Sequence, residues 1–63
     1  MRLSSLKRYY KAKTKVSIRN ETELLYEGQM NNIPIELLTL KVRDVNPSLN
    51  FKNEMEILIV VQN

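Results

Sequence analysis

The sequence contains no cysteine, no histidine and no tryptophan, and it has a single glycine. Without cysteine the chain has no disulfide and no thiolate ligand, and without histidine it has no imidazole base or ligand. One glycine is too few for a glycine-rich phosphate-binding loop. The longest apolar run is Ile57 to Val61, far short of the ~20 residues of a membrane-spanning helix, so no membrane partner is expected. Absence of cysteine fits a reducing compartment. The start of the chain runs into Lys7, Arg8, Lys11 and Lys13 rather than an apolar stretch, which does not read as a secretory signal. A cytoplasmic protein is expected.

The 63 residues are expected to form one domain, of a size that buries only about 60% of the unfolded chain's surface. Natural domains this small add disulfides, a metal or a partner chain. Self-association with a second copy is therefore one expected support, and the sequence leaves the oligomeric state open.

What is present is a division of charge. Residues 1 to 19 carry seven of the ten basic side chains and no acid, while residues 20 to 63 carry all seven carboxylates. Such an asymmetry marks a basic arm for nucleic acid, an anionic lipid surface or an acidic protein, and equally a fold that neutralises itself internally.

The periodicity predicts an α+β fold in the order α-β-β-α-β-β, a four-stranded, mainly antiparallel sheet packed by one or two short helices. Residues 1 to 13 read as a basic amphipathic helix capped by Ser4 or Ser5. Its apolar stripe is Leu3, Leu6 and Tyr10, within about 60° of one another on a 3.6-residue period. Residues 14 to 63 read as hairpin, helix and hairpin. A period of two from Thr14 sets Val16 and Ile18 against Lys15, Ser17 and Arg19. A three-residue loop would then pair Ile18 with Leu24 and Val16 with Tyr26, and Arg19 with Glu23 and Lys15 with Glu27. "NNIPIELLTL" predicts a short helix from about 34 to 40 with Ile33, Leu37 and Leu40 on one side. Val42 and Val45 break strict alternation in the third strand and predict a bulge or a short strand. The last strand, about 55 to 61, places Met55, Ile57, Ile59 and Val61 on one face and Leu58 and Val60 on the other.

Enzymatic chemistry has little to draw on. The pairs Glu54 with Glu56 and Glu23 with Glu27 share strand faces by period, but paired carboxylates on a small domain serve mostly solvation and ion pairing. Asp44 with these glutamates makes an unsupported cation site. No catalytic residue, metal ligand or cofactor is expected. Two binding surfaces remain as candidates. A sheet covered on one face would expose Leu25, Leu58 and Val60 as an interface for a protein partner. Arg2, Lys7, Arg8 and Lys11, with Tyr9 beside them for stacking, form the candidate nucleic-acid contact on the first helix. The bland alternative is that these cations are the wet face of an amphipathic helix, with Tyr10 in the core.

The order of strand, "LLYEG" strand end, "NNIP" turn, "IELL" helix and two further strands resembles small uncharacterised proteins of phages, prophages and conjugative elements of low-GC Gram-positive bacteria. The resemblance spans roughly residues 14 to 61, carried by Tyr26, Gly28, Ile33, Pro34, Leu37 and Val42. It implies a cytoplasmic, non-enzymatic accessory protein that inhibits or regulates a host or viral macromolecule, and it supplies no functional residues. The sequence reading is thus a protein-interaction module, with nucleic-acid binding by the N-terminal helix as the alternative.

Overall fold

The two most apolar alternations of the chain, Val16 with Ile18 and Met55 with Ile57 and Ile59, meet at the centre of one sheet. In the computed structural model, which describes residues 1–48 and 53–60, a helix α1 (Leu3–Lys7) precedes strands β1 (Lys15–Arg19) and β2 (Leu24–Gln29). Two 3₁₀ turns, Met30–Asn32 and Ile35–Leu37, follow, then β3 (Val42–Pro47) and β4 (Glu54–Ile59). The strand order is β2-β1-β4-β3. Both hairpins are antiparallel, but the central β1–β4 pair is parallel, so the sheet is mixed. Joining the hairpins through β1 and β4 puts the strands with fully alternating buried residues inside, and it leaves the edges to the strands that carry Gly28 and Pro47. A proline has no N–H for a second ladder and belongs on an edge.

One face of the sheet is covered. Val16, Ile18, Met55, Ile57 and Ile59 are buried beneath Leu3 and Leu6 of α1 and beneath Met30 and Ile33, with Leu25, Tyr26, Leu37, Leu38, Leu40, Val42 and Val45 packed around them. Val16, Ile18 and Ile57 have no exposure at all.

The N-terminal helix is shorter than the 1 to 13 span its periodicity predicts. Residues 12 to 14 are drawn toward the sheet, where the Asn31 N–H donates to the Ala12 carbonyl (3.0 Å) and the Met30 N–H to that of Thr14 (2.7 Å). The intervening residues must turn, so α1 ends at Lys7. No serine caps it: Arg2 is the N-cap and makes no side-chain bond. The unpaired N–H groups of its first turn are met by backbone instead. Leu3 donates to the Leu40 carbonyl and Ser4 to that of Leu38, both at 3.0 Å. Arg2 bridges Lys41 antiparallel, and the Val42 N–H donates to the Met1 carbonyl at 2.7 Å. Tyr10, beyond the helix, is 39% exposed rather than core.

The first hairpin is shifted by two residues from the expected register. Ile18 faces Tyr26, Val16 faces Gly28, Ser17 faces Glu27 and Lys15 faces Gln29. The cause is the loop. The Asn20 side-chain oxygen accepts from the Thr22 N–H and hydroxyl and from the Glu23 N–H, an Asx-type turn closed by the Asn20 N–H onto the Glu23 carbonyl (3.1 Å). This four-residue loop displaces Leu24, and an irregularity follows between Ile18 and Arg19. A two-residue shift preserves faces, so the core survives while the expected pairs Lys15–Glu27 and Arg19–Glu23 do not form.

The expected helix near 34 to 40 is a single 3₁₀ turn, Ile35–Leu37, which Ile33 and Pro34 separate from the earlier turn Met30–Asn32. Ile33 is extended (φ −58°, ψ 127°), as the residue before a proline prefers. The second turn closes through i→i+3 bonds, with Leu37 donating to Pro34 and Leu38 to Ile35. Ile33 is buried, and Leu37 and Leu40 pack on the core as the spacing predicted. The expected bulge in β3 is present between Val42 and Asp44. Strand β4 has Met55, Ile57 and Ile59 buried; Val61 lies outside the described residues.

Candidate functional site

The segment after α1 is exposed yet held at both ends. On one side Leu3 and Leu6 are buried, and the helix closes with Arg8 N–H onto the Ser5 carbonyl (3.2 Å) and Tyr9 N–H onto that of Leu6 (3.0 Å). On the other side Thr14 is buried and donates to the Lys11 carbonyl (3.1 Å). Between these anchors every residue from Arg8 to Lys13 is exposed, and the Tyr9 ring is 75% accessible. A large aromatic side chain usually serves as core in a domain with so few of them. This chain has three tyrosines and one phenylalanine, and two of the tyrosines stand here on the surface.

The cations of this segment lack carboxylate partners, as Arg19 of β1 and Lys41 also do among the described residues. Among the described residues, no carboxylate lies within ion-pair distance of Arg2, Lys7, Arg8, Lys11 or Lys13; the ion pairs are Lys15–Glu54 (3.9 Å), Arg43–Glu21 (3.1 Å) and Arg43–Asp44 (3.9 Å). Glu36 alone carries an acid on the segments that cover the core. Arg2 and Lys41, both exposed, sit opposite each other in the antiparallel bridge, a like-charge arrangement that is mildly unfavourable without a counterion.

The uncovered face is different in kind. The register aligns Glu27, Ser17, Glu56 and Asn46 in one cross-strand row, and an open depression of about 420 Å³ runs between these side chains and Lys15 and Glu54. Arg19, Leu58 and Asp44 form the next row. Glu54 and Glu56 thus share a face as expected, joined by Glu27, whereas Glu23 belongs to the loop. Among the described residues no group of three or more His, Cys, Asp or Glu could hold a metal ion, and no helix is long and apolar enough to cross a membrane.

Of the residues expected as a protein interface, Leu58 and Val60 keep to the open side and Leu25 does not join them. Leu58 is on the open face and half-buried. Val60, just past β4 with its N–H on the Lys41 carbonyl, is 38% exposed. Leu25, which the β2 irregularity leaves without a partner on β1, packs on the core. Leu24, 49% exposed and opposite Arg19, takes its place.

The nucleic-acid set fares differently. Lys7, Arg8, Tyr9 and Lys11 lie at the end of α1 and just beyond it, and Arg2 lies at its start. Tyr10 and Lys13 join the exposed stretch. So do the exposed amides of Asn31 and Asn32, which the Asn31–Ala12 bond brings beside it. The sequence predicts only a turn or helix cap at these asparagines, because the approach of Asn31 to Ala12 is a tertiary contact with no local signal. Comparison with protein-family models, with curated proteins and with solved structures found no match to this chain.

Proposed function

We propose that this protein is a non-enzymatic binding module whose basic N-terminal segment contacts nucleic acid. The observation that carries the reading is the anchored, exposed stretch from Arg8 to Lys13, whose cations have no carboxylate partner among the described residues and whose two tyrosines are accessible. Unpaired cations on a fixed backbone release counterions from a phosphate chain at little ordering cost. The opposite face sets Glu27, Glu54, Glu56 and Asp44 against Lys15 and Arg19 and has no aromatic side chain among its described residues. Its net negative charge disfavours the same ligand and favours binding on the other side of the molecule. The resemblance of residues 14 to 61 to phage and mobile-element proteins contributes no residue to this site, and it is the ground for proposing an accessory role in a host or viral process.

Four contacts, from Arg2, Lys7, Arg8 and Lys11, give a salt slope of about −3.6 on duplex and about −2.8 on single strands. Fluorescence anisotropy with labelled oligonucleotides from ~50 mM salt upward tests this. The variant Lys7→Ala/Arg8→Ala/Lys11→Ala should lose affinity and flatten the slope by about 2 to 3. No binding at ~50 mM salt to any strand would refute the proposal.

A second reading is supported by the uncovered sheet face, where Leu58, Leu24 and Val60 retain exposure beside Arg19 and Asp44. It makes that face the contact for a protein partner, including a second copy. Sedimentation equilibrium giving a 7.4 kDa species at high micromolar concentration would remove the second copy as that partner.

A further inference from the structure

The geometry points to single-stranded rather than duplex nucleic acid as the ligand, with bases stacked on Tyr9 and Tyr10; this rests on the nucleic-acid reading above. Reading a duplex by helix requires several side chains along one exposed helix face in the major groove. Here α1 has five residues, about 7.5 Å of helix. Leu3 and Leu6 face the core, and its first N–H groups are committed to the carbonyls of Leu40 and Leu38. The outer side of α1 thus offers only exposed Ser4 and Ser5 and half-buried Lys7, too short a face to read a groove, and its N-terminal N–H groups are not free for a phosphate.

A single strand makes other demands: a ring to stack on, cations beside it, and polar groups within reach of base edges. Tyr9 stands 75% exposed between Arg8 and the Tyr10–Lys11 pair. Its backbone is fixed by the bond to Leu6, and that of Lys11 by the bond from Thr14, so stacking immobilises a side chain with only two rotatable torsions rather than a loop. Asn31, bonded through its backbone N–H to the Ala12 carbonyl of the same stretch, and its neighbour Asn32 are exposed, and their amides offer both donors and acceptors. Tyr26, the remaining tyrosine, is engaged elsewhere, its hydroxyl donating to the Gln29 carbonyl at 2.8 Å. Stacking does not depend on which base is present, so broad tolerance of sequence is expected. The sugar is distinguished by comparing the DNA and RNA arms of the test.

The test measures anisotropy with labelled oligo-dT, oligo-rU and a duplex of equal length at ~50 mM salt, for the wild type and for Tyr9→Ala, Tyr10→Ala and Tyr9→Phe. Near-native thermal unfolding confirms that each variant folds. Either or both single strands should bind at least about fivefold more tightly than the duplex. Tyr9→Ala should weaken single-strand binding about 5- to 100-fold, change duplex binding less than about twofold, and be rescued by Tyr9→Phe, which keeps the ring. Quenching of tyrosine fluorescence on single-strand binding, diminished in Tyr9→Ala, would support stacking directly. Equal affinity for single strand and duplex with no effect of either alanine would overturn this inference while leaving the basic-segment reading intact. Absence of binding to all three ligands would overturn both.

Discussion

Lys15 meets Glu54 and not Glu27: its Nζ lies 3.9 Å from the Glu54 Oε1, across the parallel ladder in which the two residues are paired. The positive run that begins at Arg2 is thus divided by the fold. Lys15 belongs to the sheet and has a counterion, whereas Lys7, Arg8, Lys11 and Lys13 have none among the described residues.

Glu54→Gln should therefore lower stability only slightly, by less than about 1 kcal/mol, because the pair is exposed and long. Thermal unfolding at low and high salt checks this. A small loss at low salt that disappears at high salt is expected, and a loss well above 1 kcal/mol would show that the parallel ladder depends on the pair.

Gly28 supports the edge strand through what it lacks. A Cβ there would lie 2.9 Å from the Tyr26 ring carbon Cζ and collide with the Tyr26 hydroxyl, although its backbone φ is not positive. Gly28→Ala should push the ring aside and weaken its hydroxyl bond to Gln29, costing about 1–3 kcal/mol. Calorimetry should then show a melting temperature lower by roughly 4 to 8 °C per kcal/mol for a domain this small. An unchanged melting temperature would contradict the packing described.

Much of this fold was legible in the sequence, and its errors have one physical origin. The alternation at Val16/Ile18 and Met55/Ile57/Ile59 identified the core because burial of one sheet face leaves a period that needs no partner to be read. The break between Val42 and Val45 likewise identified the β3 bulge. Helix length and sheet order are set by distant groups, and hairpin register by the particular bonds of one loop side chain. Asn31 draws in Ala12, the Leu38 and Leu40 carbonyls accept the first N–H groups of α1, and the Asn20 side chain sets a loop one residue longer than expected. The same limit applied to the candidate site. Its cations and Tyr9 were read from composition, but the exposure of Tyr10 and the arrival of Asn31 and Asn32 depend on where α1 stops. Leu25 was assigned to the outer face by a regular alternation that the β2 irregularity breaks.

Substitutions should separate scaffold from site. Ile57, fully buried at the sheet centre, should cost about 2–5 kcal/mol when changed to Ala, a large share of the stability of any small domain. Tyr9→Ala should change stability by no more than about 0.5 kcal/mol. Urea titration followed by circular dichroism compares them. Comparable losses would mean that Tyr9 packs on the core.

The bridge between Arg2 and Lys41 places two cations opposite each other. Replacing either with Gln should raise stability by about 0.2–1 kcal/mol at low salt, with the gain shrinking as salt screens the repulsion. Thermal unfolding of both single variants checks the sign, and destabilisation by both would show that the two charges find counterions.

The central claim is that one side of this molecule meets nucleic acid, and amide chemical-shift mapping with a short oligo-dT or oligo-rU strand at ~50 mM salt tests it most directly. The expected result is that shifts concentrate at residues 7 to 13 and at Asn31 and Asn32, while Ser17, Glu27, Glu56 and Leu58 on the open face remain unmoved. Shifts concentrated on the open face, or none at all, would contradict it.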